Sequence, residues 1–142
     1  MDLESKRNLT RATIQVAALK SFSESQYAKV TMDDIAVEAH LTKRTLYKYY
    51  PSKLSLLSSV FESYMQEEYV ALSNAVRGCT SYREVVIAVA TALYTYTKEN
   101  LRFMRLIWSI NDEMWGKGLP EEILERFRSW NEAILSIKAE TA

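Results

Sequence analysis

Thr31-Met32-Asp33-Asp34-Ile35-Ala36-Val37-Glu38-Ala39-His40-Leu41-Thr42-Lys43-Arg44-Thr45-Leu46-Tyr47-Lys48-Tyr49-Tyr50-Pro51 is the stretch that decides the fold of this chain. Thr31 followed three residues later by Asp34 is a helix-start signal. The hydroxyl caps a free N–H and the carboxylate lies near the positive end of the helix dipole. Ile35 and Ala36 point inward, and the helix ends near Ala39, before a very short break at His40-Leu41. Thr42 is the N-cap candidate of the next helix, and Pro51 stops it. Two short helices joined by a tight turn, with a longer helix before them, make a helix-turn-helix pattern.

Outward from that stretch, the chain reads as helices with brief breaks. Upstream, Ile14, Ala17, Ala18 and Phe22 form the apolar stripe of a helix from about Leu3 to Glu24. Lys6, Arg7 and Arg11 at its start are either a solvated end or an arm that meets phosphate. Downstream, Ser52 caps a long helix carrying Leu54, Leu57, Phe61, Tyr64, Met65, Leu72 and Val76, with Gly78 as its stop. Ser81-Tyr82-Arg83-Glu84 is a second capping box. The helix it opens, through about Lys98, is apolar on most sides and is expected to be the central one. A sixth helix runs from about Leu101 to Glu113, and Trp115-Gly116-Lys117-Gly118 reads as a loop. Pro120 begins a last helix bearing Ile123, Leu124, Phe127, Trp130, Ile134 and Ile137.

Composition bounds the answer. With 142 residues the chain is the size of one domain, and 3 Gly and 2 Pro are too few for the turns of a sandwich or barrel. One Cys excludes a disulfide framework and one His excludes a multi-histidine metal site. Cys79 reads as a small filler thiol before a redox sensor, and His40 as a turn residue before a metal ligand. Net charge is zero, but residues 1–53 carry 9 Lys+Arg against 6 Asp+Glu, and residues 54–142 carry 9 against 12. An anion-facing N-terminal part joined to an acidic remainder is the implication. The longest uncharged run, Val85 to Thr97, is too short to span a bilayer, and no signal-peptide pattern is present. A cytoplasmic protein without a membrane partner is expected.

The helix from Thr42 carries the chemistry. Up to Lys53 it holds four cations (Lys43, Arg44, Lys48, Lys53), three tyrosines and no acid. Neutralising a row of phosphates releases counterions. Arg and Lys reach G O6 and N7, Thr reaches base edges or a thymine methyl, and Tyr hydroxyls hold phosphates. Leu46 is the expected anchor to the core and Tyr50 an inward aromatic. The plainer alternative, a solvated basic face, does not account for the turn, the short helices and the tyrosines together.

Residues 10–57 resemble the DNA-binding domain of the tetracycline-repressor (TetR) family. The matching positions are Ile14, Ala17, Ala18 and Phe22; Tyr27 and Thr31-Met32-Asp33-Asp34-Ile35-Ala36; Leu41 to Tyr50; then Ser52, Lys53, Leu56 and Leu57. The resemblance implies that Thr31 caps its helix and touches a phosphate, and that Thr42, Lys43, Arg44 and Thr45 approach base edges. It further implies that Tyr47 and Tyr49 grip the backbone and that Lys53 contacts phosphate; Lys48 belongs to the same DNA-facing set. Gln26 and His40 stand where the family usually has Gly, and Arg44 where it often has a small residue. His40 is strained if the turn needs positive φ. Arg44 gives either a different base preference or an extra phosphate contact.

The expected architecture is all-α: a three-helix DNA-binding head over residues 1–53 and a helical-bundle regulatory body over residues 54–142. The family's members bind a small ligand in the body, and Tyr94, Met104, Trp108 and Trp130 are the candidates for lining an apolar, aromatic pocket. Two further C-terminal helices usually form the family's dimer interface, and a chain ending near Ala142 is expected to lack them, as a truncated or short version. The expected function is a sequence-specific transcriptional regulator, a repressor released by a small apolar or aromatic ligand. Its partner would be a palindromic double-stranded operator, bound as a homodimer. The alternative is a helical module that binds protein instead of DNA. No catalytic residue, metal site or cofactor is expected: there is no Gly-rich phosphate loop and no Gly-x-Ser-x-Gly elbow.

Overall fold

The computed structural model describes residues 2–113 and 120–141. Among them are seven α-helices: α1 (Leu3–Glu24), α2 (Met32–Glu38), α3 (Lys43–Tyr49), α4 (Lys53–Val76), α5 (Tyr82–Glu99), α6 (Leu101–Glu113) and α7 (Glu121–Thr141). A single 3₁₀ turn, Tyr27–Lys29, links α1 to α2. The loop expected at Trp115 to Gly118 and the side chain of Phe127 lie outside the described residues.

Local chemistry sets the helix boundaries. The Asp2 carboxylate accepts from the Ser5 N–H and caps α1. Thr31 and Ser81 each form a complete capping box, with Asp34 and Glu84 returning the bond to the cap's own N–H. The Ser52 hydroxyl accepts from the Ser55 N–H at the start of α4. Gly78, at φ +83°, ends that helix in a conformation that an L side chain adopts only with strain.

The chain divides into two compact units. The first comprises Met1–Val60 with Arg102–Gly118, the second Phe61–Leu101 with Leu119–Ala142. In the first unit Ile14, Ala18 and Phe22 of α1, Ile35 of α2, Leu46 of α3, and Leu56, Leu57 and Val60 of α4 are fully buried. Phe103, Leu106 and Ile110 of α6 are buried in the same unit. Each of these side chains other than Ala18 contributes about 1.5–3 kcal/mol of transfer free energy. An ion pair of Arg102 with Glu24, at 4.0 Å, joins the start of α6 to the end of α1.

In the second unit, Leu72 and Val76 of α4, Val85 of α5 and Ile137 of α7 form one cluster, flanked by Tyr69, Val89, Leu93 and Ile134. The Tyr96 hydroxyl donates to the Tyr64 carbonyl at 2.6 Å. Burial, and after it the nearby Glu67 and Glu68 carboxylates, push the phenol's pKa well above the ordinary value.

The expectation that α5 is the central helix is corrected. Val85 and Tyr96 are its buried residues, while Val86, Ile87 and Tyr94 are exposed, Ile87 by 55%. Apolar residues on several sides of a helix do not by themselves imply packing on several sides. Among the described residues, one face of α5 is packed.

Candidate nucleic-acid interface

The turn between α2 and α3 is built by backbone bonds. The Leu41 N–H donates to the Ala36 carbonyl at 2.9 Å and the His40 N–H to the Val37 carbonyl at 3.1 Å. These are the two bonds of a Schellman ending, in which the residue after the cap takes a left-handed conformation. That residue is His40, with φ +55°. The strain anticipated from the sequence is therefore present, in one of the residue types that tolerate it best.

Thr42 begins α3 immediately after the turn. Its Oγ1 accepts from the Thr45 N–H at 3.2 Å and lies 2.9 Å from the Thr45 hydroxyl. Leu46 is fully buried and Tyr50 nearly so, as the sequence reading expected. The Tyr50 hydroxyl accepts from Gln15 Nε2 at 3.3 Å, and the same amide donates to Ser59 Oγ at 3.2 Å. α3 is thus tied to α1 and α4 through its inner face. Its outer face presents Thr42, Lys43, Arg44, Tyr47 and Lys48, all exposed, with Thr45 and Tyr49 half-buried between them.

The cations of this face are held loosely. Lys43 lies 3.3 Å from an Asp33 carboxylate oxygen and 5.9 Å from the centre of the Tyr47 ring. Thr31 is exposed at the start of α2, its hydroxyl accepting from the Asp34 N–H at 3.1 Å. Hydrogen bonds from Thr31 hold the Asp34 carboxyl below the usual carboxylate range, the backbone N–H being the larger cause. On the far side of the turn, Lys20 and Glu38 pair at 2.6 Å, which lowers the Glu38 carboxyl and raises the Lys20 ammonium.

Lys53 occupies a different place from the rest. Its ammonium donates to the carbonyls of Tyr27 and Val30, at 2.8 and 3.0 Å, and lies 4.2 Å from the Tyr27 ring centre. It braces the 3₁₀ turn against the start of α4. Arg11, for which the sequence leaves open a solvated end or an arm that meets phosphate, lies against α3. Its guanidinium stands 5.6 Å from the centre of the Tyr49 ring, at the edge of α3.

The four ligand-pocket candidates fall into both units. Met104 and Trp108 lie in the first, Tyr94 and Trp130 in the second. Tyr94 and Trp108 are 68% and 66% exposed. Trp130 lines a cleft of about 200 Å³ between α4 and α7, with Met65 and Tyr69 on its wall and the Arg126–Glu62 ion pair at its edge. Its indole N–H is buried without a hydrogen-bond partner among the described residues. No group of three His, Cys, Asp or Glu among the described residues is arranged to hold a metal ion.

This geometry agrees with the comparison to known proteins. Residues 14–60 match the family model described as bacterial regulatory proteins, tetR family. Over that third of the chain it is similar to the TetR family. Over 102 residues it is 28% identical to the HTH-type transcriptional activator FasR of Mycolicibacterium smegmatis, covering 72% of this chain and 47% of that protein. Over 89 residues it is 29% identical to the uncharacterized HTH-type transcriptional regulator YuxN of Bacillus subtilis, covering 63% of this chain and 31% of that protein. The chain therefore spans half or less of the curated relatives it matches. Crystal structures of a TetR family transcription regulator from Marinobacter aquaeolei and of a putative one from Shewanella share its fold. Their TM-scores are 0.79 and 0.73, at 18% and 19% identity. They cover 96% and 92% of this chain and 71% and 69% of their own. No described helix is long and apolar enough to cross a membrane.

Proposed function

We propose that this chain is a cytoplasmic transcriptional regulator of the TetR family that binds a palindromic operator as a homodimer through α3. The observation that carries the reading is the outer face of α3. Lys43, Arg44, Tyr47 and Lys48 are exposed on a helix whose inner face is fixed by Leu46 and Tyr50. A helix of this width enters the major groove. Thr42, Lys43, Arg44 and Thr45 are placed at its leading end for base edges, and Thr31, Tyr47, Lys48 and Tyr49 flank it for phosphates. The Asp33–Lys43 pair is exposed and worth at most about 1 kcal/mol, so a phosphate can displace the carboxylate. Lys53 supports the interface by holding the 3₁₀ turn and α4 together. A homodimer would place two α3 helices on half-sites about 34–36 Å apart.

The regulatory part of the proposal is repression relieved by a small apolar or aromatic ligand. The cleft at Trp130 supports it, because a buried N–H donor beside an apolar wall suits a ligand bearing one acceptor. FasR is named an activator, which makes the sign of regulation a direct question for experiment. A reporter fused to the selected operator rises on deletion of the gene for a repressor and falls for an activator.

Selection of bound sequences from a random DNA pool tests the core of the reading, and a palindromic consensus is expected. On that duplex, Lys43→Ala, Arg44→Ala and Tyr47→Ala should each weaken binding, Arg44→Ala by about 1–3 kcal/mol if it reads a base. Unchanged affinity in all three would remove α3 from the interface. Weak dependence on salt would favour the protein-binding alternative, since phosphate neutralisation makes affinity fall steeply as salt rises.

A further inference from the structure

The core-facing stripe of α1 does not end where the core ends. Reading backwards, Phe22, Ala18 and Ile14 are fully buried. The same helical face continues through Arg11, Arg7 and Leu3 at steps of three and four residues. From Leu3 to Leu9 every residue is exposed, and Arg11 to Thr13 are exposed again. α1 therefore runs some three turns beyond the buried head, and over those turns the same face carries Arg11 and Arg7 before ending on the exposed Leu3. Arg7 sits seven residues before Ile14, about 10 Å further along the axis.

What this face looks towards is fixed by Arg11. Its guanidinium stands over the ring of Tyr49, the last residue of α3, and its Nη1 donates to the Asn8 side chain at 3.2 Å. Arg7 lies one turn before Arg11 on the same face and is exposed. Neither arginine has a carboxylate within ion-pair distance among the described residues. The first amides of α1 are already served by Asp2, so the attraction for an anion resides in the side chains and not in the helix end.

We infer that Arg7 and Arg11 form a second DNA contact, which holds backbone phosphates flanking the base pairs that α3 covers. This rests on the reading of α3 as the DNA-facing helix. Guanidinium groups match phosphate geometry with paired N–H donors, and stacking on Tyr49 holds Arg11 in place before DNA arrives. Such contacts carry no base information; they add affinity and fix register.

The test measures fluorescence anisotropy of the full-length chain on its selected duplex, extended one helical turn past each half-site, across a salt series. Each phosphate contact adds about 0.9 to the slope of log affinity against log salt. Each substitution alters both protomers of the homodimer, so Arg7→Gln with Arg11→Gln should lower that slope by up to about 3.6, weaken binding at low salt, and leave the preferred sequence unchanged. Trimming the duplex at the half-site edges should bring wild type and variant together. Arg7→Gln alone should lower the slope by about 1.8; Arg7 is exposed, so the variant reports without disturbing Tyr49. A steep wild-type slope that the variants leave intact would overturn this inference and spare the assignment of α3. A changed base preference would also overturn it. A wild-type chain showing no salt-dependent duplex binding would end both readings.

Discussion

Helices α3 and α5 both leave much of their surface uncovered, and they do so with opposite chemistry. α3 has seven residues, buries Leu46 and shows cations, hydroxyls and tyrosine rings. α5 has eighteen, buries Val85 and Tyr96, and shows Val86, Ile87 and Tyr94. A face that stays hydrated costs nothing to expose, so one anchor and two caps are enough to hold α3. An exposed Ile or Val forgoes about 1.5–3 kcal/mol of transfer free energy. The contrast teaches that exposure alone does not mark a functional surface; the chemistry of what is exposed does.

The widest separation between the two helices should appear on truncation. Leu46→Ala should lose about 2–5 kcal/mol of stability in urea unfolding, because a fully enclosed side chain leaves a cavity. Ile87→Ala on α5 should stay within about 0.5 kcal/mol, as expected of an exposed position. Equal losses would erase the contrast.

The capping boxes should behave alike in both regions. Thr31→Ala ahead of α2 and Ser81→Ala ahead of α5 should each cost about 1 kcal/mol, read as a shift in denaturation midpoint. A much larger effect at Thr31 would mean that the turn before α3 amplifies a local loss.

A smaller change of opposite sign is expected at His40. His40→Gly relieves the left-handed strain but gives the unfolded chain more freedom, so a gain of up to about 1 kcal/mol remains. Thermal melting measures it, and destabilisation would show that the imidazole has a structural role.

The smallest effect is a pH dependence in α4. Burial pushes the Glu68 carboxyl above its ordinary pKa. The folded state therefore binds its proton more tightly than the unfolded state, and stability falls as pH rises through that window. Glu68→Gln should melt slightly higher than wild type at neutral pH, and the gap should close in acid. A gap that persists below the ordinary carboxylate range would point to a cause other than ionisation.

Most of the head was legible because its signals are local. The Thr31 and Thr42 caps, the stop at Pro51 and the inward Leu46 and Tyr50 each depend on neighbours within a turn or two. Lys53 was not legible, since its carbonyl partners lie 26 and 23 residues upstream and only the folded chain brings them near. Arg11 was half legible: its charge was visible, its seat over Tyr49 was not. In the body, residue type gave good helix boundaries but poor neighbours. An apolar aromatic such as Tyr94 or Trp108 looks the same in a string whether it ends at 68% or at zero exposure.

The hydroxyls of Thr42 and Thr45, 2.9 Å apart, share one hydrogen between them. Two such groups own two hydrogens, and the Thr42 oxygen also receives the Thr45 amide. One hydrogen is consumed internally, so the pair turns a single outward hydrogen toward whatever α3 meets. Two of the four lone pairs stay free, so the tip of α3 can give that one hydrogen to an acceptor and still receive one from a donor.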